Sequence, residues 1–129
     1  MKYRLLNLLA CPHCKYFPLE LYVIEIKEYD RKLPTEPPLC DLYCGYLNKY
    51  LRDIQEEPPC RECIKKEIVT AVIYCSKCGR WYPVIDEIPR MLPDHYRNKA
   101  EDLNFLKKYT DSIPDKIKYQ GKPYSLEST

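Results

Sequence analysis

Two Cys-x2-Cys pairs, Cys11/Cys14 and Cys75/Cys78, are separated by residues 15–74 and constrain this chain more than any other feature. A pair at that spacing turns both sulfurs towards one point. Two such pairs supply the four thiolates that a tetrahedral Zn²⁺ takes at about 2.3 Å. Pairs so distant in sequence can share one ion only if the fold brings both ends back together. Gly79, directly after the second pair, suits the left-handed backbone that such a turn needs. Lys15 stands in the matching place after the first pair. A redox Cys-x2-Cys opens a helix after a strand in a larger mixed sheet. Here Cys75-Ser76-Lys77-Cys78 runs through Gly79-Arg80 into an extended stretch, which speaks against that chemistry.

The rest of the pattern reads as a small α+β domain. Residues 3–9 can form one or two helical turns. Leu19 to Glu28 and Glu67 to Tyr74 are rich in β-branched residues and read as strands. Trp81 to Ile85 is a third strand, Asp86-Glu87 a turn, and Ile88 to Leu92 a short fourth whose Pro89 confines it to an edge. Between the pairs, Leu42, Tyr43, Tyr46, Leu47, Tyr50, Leu51 and Ile54 recur at helical spacing, so a helix over 41–55 is expected, packed through Leu47, Leu51 and Ile54. Asn98 with Glu101 resembles a capping box and opens a second helix. The last residues, with Pro114, Gly121 and Pro123, look loosely held. The expected architecture is thus a zinc-ribbon-like antiparallel sheet of about four strands (1–27 and 67–97), a helical cysteine-containing insertion (28–66), and a C-terminal helix with a tail (98–129).

Composition excludes several classes of function. The chain has 129 residues, the size of one modest domain. Its net charge of +2 is spread evenly, without the basic face that nucleic-acid binding by counterion release requires. Three isolated glycines, Gly45, Gly79 and Gly121, leave no phosphate-cradling loop for a nucleotide-like cofactor. His13 and His95 are the only histidines, no Ser–His–Asp set is readable, and no catalytic constellation emerges. No apolar run is long enough to span a membrane. The start of the chain lacks a secretory signal, so a cytoplasmic location is expected. Thirteen tyrosines against four asparagines and two glutamines hint at a thermophilic source.

The inner cysteines are ambiguous. Cys40-x3-Cys44 falls at the start of the expected helix and Cys60-x2-Cys63 after Pro58-Pro59. They allow two disulfides, a second metal, or free thiols.

Two blocks carry a family resemblance. Leu5-Leu6-Asn7-Leu8-Leu9-Ala10-Cys11-Pro12-His13-Cys14, with Pro18-Leu19-Glu20-Leu21, forms the first. The second runs from Ile73-Tyr74-Cys75 through Trp81-Tyr82-Pro83-Val84-Ile85-Asp86-Glu87-Ile88-Pro89-Arg90-Met91-Leu92-Pro93. Together they resemble the small zinc-binding methyltransferase-activator family. That resemblance implies a non-catalytic Zn²⁺ subunit of a heterodimer, with Cys11, Cys14, Cys75 and Cys78 as ligands. Its partner would be a methyltransferase catalytic subunit that itself binds S-adenosylmethionine and modifies tRNA, rRNA or a translation factor. This chain would take no small-molecule substrate and would meet nucleic acid only through that partner. Docking is expected strand against strand, through Leu6, Leu8, Ile88, Met91 and Leu92. The insertion's own cysteines and the C-terminal extension depart from the familiar pattern. The competing class is a zinc-ribbon nucleic-acid-binding protein.

Overall fold

The run Ile68-Val69-Thr70-Ala71-Val72-Ile73 has apolar or small residues at alternate positions on both faces. A strand made of it needs a covering layer on each side. In the computed structural model, which describes residues 1–128, this run is the heart of an antiparallel sheet covered on both faces.

A 3₁₀ helix over Tyr3–Leu8 precedes strand β1 (Glu20–Glu28). The insertion holds a hairpin of β2 (Tyr43–Cys44) and β3 (Lys49–Tyr50), a 3₁₀ turn at Leu51–Asp53, and one helical turn, α1 (Cys60–Cys63). Strands β4 (Lys66–Tyr74), β5 (Trp81–Ile85) and β6 (Ile88–Pro89) follow, then helices α2 (Lys99–Lys108) and α3 (Asp115–Lys118). The main sheet has the order β1-β4-β5-β6. Its register pairs Leu21 with Ile73, Ile73 with Tyr82 and Val84 with Pro89. Asp86 and Glu87, at φ 51° and 70°, make the two-residue turn between β5 and β6. Two positive φ values in succession give the twist that joins adjacent antiparallel strands tightly.

The two faces are covered by different parts of the chain. Ala71, Ile73, Tyr82 and Val84 pack against Met1, Tyr3, Leu6, Leu19 and Tyr43. On the opposite face, Val72 and Trp81 pack against Phe105, Leu106, Ile113 and Ile117. Arg97 closes this second layer: it donates to the Trp81 carbonyl at 2.6 Å, lies 4.8 Å from the Trp81 ring centroid, and pairs with buried Asp102 at 2.9 Å. Asn98 caps α2 by accepting from the Glu101 N–H at 3.1 Å, as its sequence position suggests.

Two expectations are corrected. The helix expected over 41–55 is a β-hairpin followed by a 3₁₀ turn, and Leu47 is exposed rather than packed. The cause lies outside the segment. Asn7 Oδ1 accepts from the N–H groups of Leu42 (3.1 Å) and Tyr43 (2.8 Å), fixing the entry as extended chain. Tyr43 packs edge-on against Tyr50 at 5.4 Å and Phe17 at 5.8 Å, while Tyr46 meets Tyr3 at 5.0 Å. A Cβ at Gly45 would fall 2.6 Å from the Tyr3 carbonyl oxygen, so the backbone approaches closely where a helix would place only a weak glycine. The tail is also held in place rather than loose. Trp81 donates from Nε1 to the Tyr124 carbonyl at 2.8 Å and from its backbone to Lys122 at 3.0 Å, and Ile117 is fully buried. Of the expected tail, only Thr129 lies outside the described residues.

Candidate metal centre

The two Cys-x2-Cys turns are built alike. The Cys11 N–H donates to the Tyr16 carbonyl (3.0 Å) and the Lys15 N–H to the Cys11 carbonyl (2.8 Å). In the second turn, the Cys75 N–H donates to Arg80 (2.8 Å) and the Gly79 N–H to Cys75 (2.9 Å). Gly79 has φ 81° and Lys15 φ 66°, so both turns use a left-handed residue at the same place. Lys15 tolerates that conformation with its Nζ donating back to the Pro12 carbonyl at 2.9 Å.

Pairing of β1 and β5 with β4 carries these turns to one end of the sheet. There the Sγ atoms of Cys11, Cys14, Cys75 and Cys78 all lie within 4.8 Å of one another. Cys11 and Cys78 sulfurs are 3.6 Å apart, and those of Cys14 and Cys75 3.5 Å. Four sulfurs around a tetrahedral ion at about 2.3 Å would stand about 3.8 Å apart. The donor set therefore fits a metal ion, and all four cysteines are free of disulfides.

The electrostatics are uneven, as expected of crowded thiols. Burial works to raise Cys11, but hydrogen bonds from the Tyr82 hydroxyl and the backbone of Cys14 and His13 bring it down to about 6. Burial pushes Cys75 up to about 12. A cation would favour the thiolate form of all four ligands, replacing the proton that Cys75 otherwise retains. Two neighbours of the site escaped the sequence reading. Tyr82, fully buried on β5, places its hydroxyl 3.3 Å from Cys11 Sγ. Arg80, held by Asp94 through bonds of 2.8 and 2.7 Å, sets its positive charge beside Cys78. Their only signal was position: both lie just after the second cysteine pair, where a strand starting at the metal must direct side chains back towards it.

The model for Trm112p-like proteins matches residues 2–87. The chain belongs to this family. Its members form a methyltransferase-activating, non-catalytic class of subunit. A comparison with curated proteins found no match. The matched span includes both cysteine pairs and the insertion, and it ends at Glu87, one residue before β6.

The residues expected at a docking surface separate into three groups. Leu6 is fully buried in the core and offers nothing to a partner, which corrects that expectation: within one 3₁₀ helix it faces the sheet while Leu8 faces away. Leu8 (74% exposed), Ile88 (60%) and Leu92 (43%) are open. Met91 is half-buried against the first core layer. Leu8 and Glu87 border one open groove of about 820 Å³, and Leu92 borders a smaller one of about 60 Å³ with Tyr96 and Phe105.

Cys40 and Cys44, expected together on one helix, instead lie on extended chain. Cys40 precedes β2, Cys44 ends it, and Cys60 and Cys63 lie one turn apart on α1. All four are free, so neither disulfide is present. Burial pushes Cys40 up to about 11 and Cys63 up to about 12.

Proposed function

We propose that this chain is a zinc-binding, non-catalytic subunit that binds, stabilises and activates S-adenosylmethionine-dependent methyltransferases of the translation machinery, acting on tRNA, rRNA or a release factor in the cytoplasm. The observation that carries the reading is the sheet edge at β6, which has a neighbour on one side only and bears exposed Ile88 and Leu92. A strand edge rimmed by apolar side chains is a surface that another sheet can extend. Leu8, Met91 and Leu92 would flank the added strand. Zn²⁺ at Cys11, Cys14, Cys75 and Cys78 holds the two halves of the sheet in register, so that the edge exists before the partner arrives. Its chemistry is structural: with four protein ligands a zinc ion has no open position for substrate.

Activation follows from mass action. A subunit that binds only the folded, cofactor-competent form of the catalytic chain stabilises that form by RT ln(1 + [L]/Kd), about 2.7 kcal/mol at a hundredfold excess over Kd. The test is co-expression of a methyltransferase subunit with wild-type protein and with Ile88→Asp. Retained fold and metal with loss of partner solubility and methyl transfer would support the reading. An unchanged complex would place the surface elsewhere.

A further inference from the structure

Four cysteines remain outside the metal centre, and the fold gathers them. Cys40, Cys44, Cys60 and Cys63 border one small, narrow cavity of about 10 Å³. A single water needs roughly 10–15 Å³ measured in this way, so the space suits one atom and no organic ligand. Cys40, Cys44 and Cys60 are only 9%, 6% and 8% exposed. Among the described residues none of the four thiols has a hydrogen-bond partner. The spacings x3 and x2 lie within the range common to zinc-binding cysteine pairs. One pair sits on extended chain entering a hairpin. The other sits at i and i+3 of a helical turn, which sets both sulfurs on one side.

A second observation is independent of the sulfurs. The insertion has strands of two residues each and a helix of four. A single helical turn is far below the length at which a helix holds itself, and units this small are usually stapled by a metal or by disulfides. Disulfides are absent here. Charge fits as well: four thiolates around a divalent cation leave a net −2, and Lys2 and Arg4 border the same cavity.

We propose that Cys40, Cys44, Cys60 and Cys63 form a second structural site for a soft divalent ion of the zinc type, which ties α1 to the β2–β3 hairpin. The outer quartet is the one group among the described residues whose donors lie within 4.8 Å. The inner four must therefore draw together on loading. The segments before β2 and before α1 lie outside any strand or helix, so that movement breaks no strand ladder.

Metal counting on the full chain decides the question. Purified protein should contain two zinc equivalents, and cobalt exchanged into it should give thiolate charge-transfer bands that saturate at two equivalents. Thiol titration under denaturing, non-reducing conditions with chelator should find eight thiols. The double variant Cys60→Ser/Cys63→Ser should lose one equivalent and keep the other; if it does not fold, Cys63→Ser alone, at the half-buried position, serves the same purpose. A wild-type count of one equivalent overturns the site, whether four thiols (bridges) or eight (free cysteines) accompany it. Two equivalents that persist in the inner variants overturn it too.

Discussion

The two edges of the main sheet differ in a way that bears on function. The β1 edge is nine residues long, and its outer half, Glu25 to Glu28, is exposed and mostly charged. Glu28 is paired with Lys66, and Glu20 with Lys116 from α3. Charges along an edge discourage another strand from pairing there. The β6 edge is two residues long, carries Pro89, and is flanked by exposed Ile88, Leu92 and Tyr96. One edge is guarded by charge; the other is shortened and interrupted by Pro89 but rimmed by exposed apolar side chains. The asymmetry supports the docking proposed at β6.

The largest expected effect removes both edges at once. Cys75→Ser takes one buried ligand from the outer quartet, and structural zinc contributes apparent free energies of about 10–16 kcal/mol in small metal-dependent folds. The variant should lose the outer metal equivalent and the cooperative thermal transition; full retention of both would contradict the assignment. Next comes Ile88→Asp with Leu92→Asp. Burying unpaired charges at an interface costs several kcal/mol, so partner affinity should fall at least about 100-fold. The free chain, where both positions are exposed, should change stability by no more than about 0.5 kcal/mol.

Much of this design was legible in the residues. The strands β1, β4 and β5, both cysteine pairs and the cap at Asn98 are local patterns, and local patterns survive folding when tertiary contacts agree with them. The insertion was not legible, because its conformation is imposed by Asn7, Tyr3 and Phe17 from another part of the chain. A tyrosine repeat at helical spacing serves equally well as cross-strand packing. Leu6 and Leu8 are alike in sequence, and only the seating of one 3₁₀ helix on the sheet separates core from surface. The tail was misjudged because its partner, Trp81, sits in a distant strand.

Smaller effects sharpen the picture. The two cysteine turns allow a paired test of backbone strain. Gly79→Ala puts a Cβ into open space at φ 81°, so only the left-handed conformation opposes it, by about 1–2 kcal/mol. Lys15→Gly relieves the same strain but loses the Lys15–Pro12 bond and adds freedom to the unfolded chain. Its stability should stay within about 0.5 kcal/mol of the parent by denaturant titration. A Gly79→Ala protein as stable as wild type would remove the reason for glycine there. The smallest expected effect is the mirror image of the second prediction. Ile26→Asp, on the guarded edge and 40% exposed, should leave partner affinity within about a factor of two. A loss as large as that at Ile88 would mean that the partner docks on β1 instead.

The activating role is tested most directly by isolating the chain from its native cells under mild conditions and measuring what accompanies it. A one-to-one complex with a methyltransferase catalytic subunit is predicted, with methyl transfer from S-adenosylmethionine that neither chain shows alone and that Ile88→Asp abolishes. A chain that comes through alone, or with nucleic acid and no methyltransferase, would contradict it.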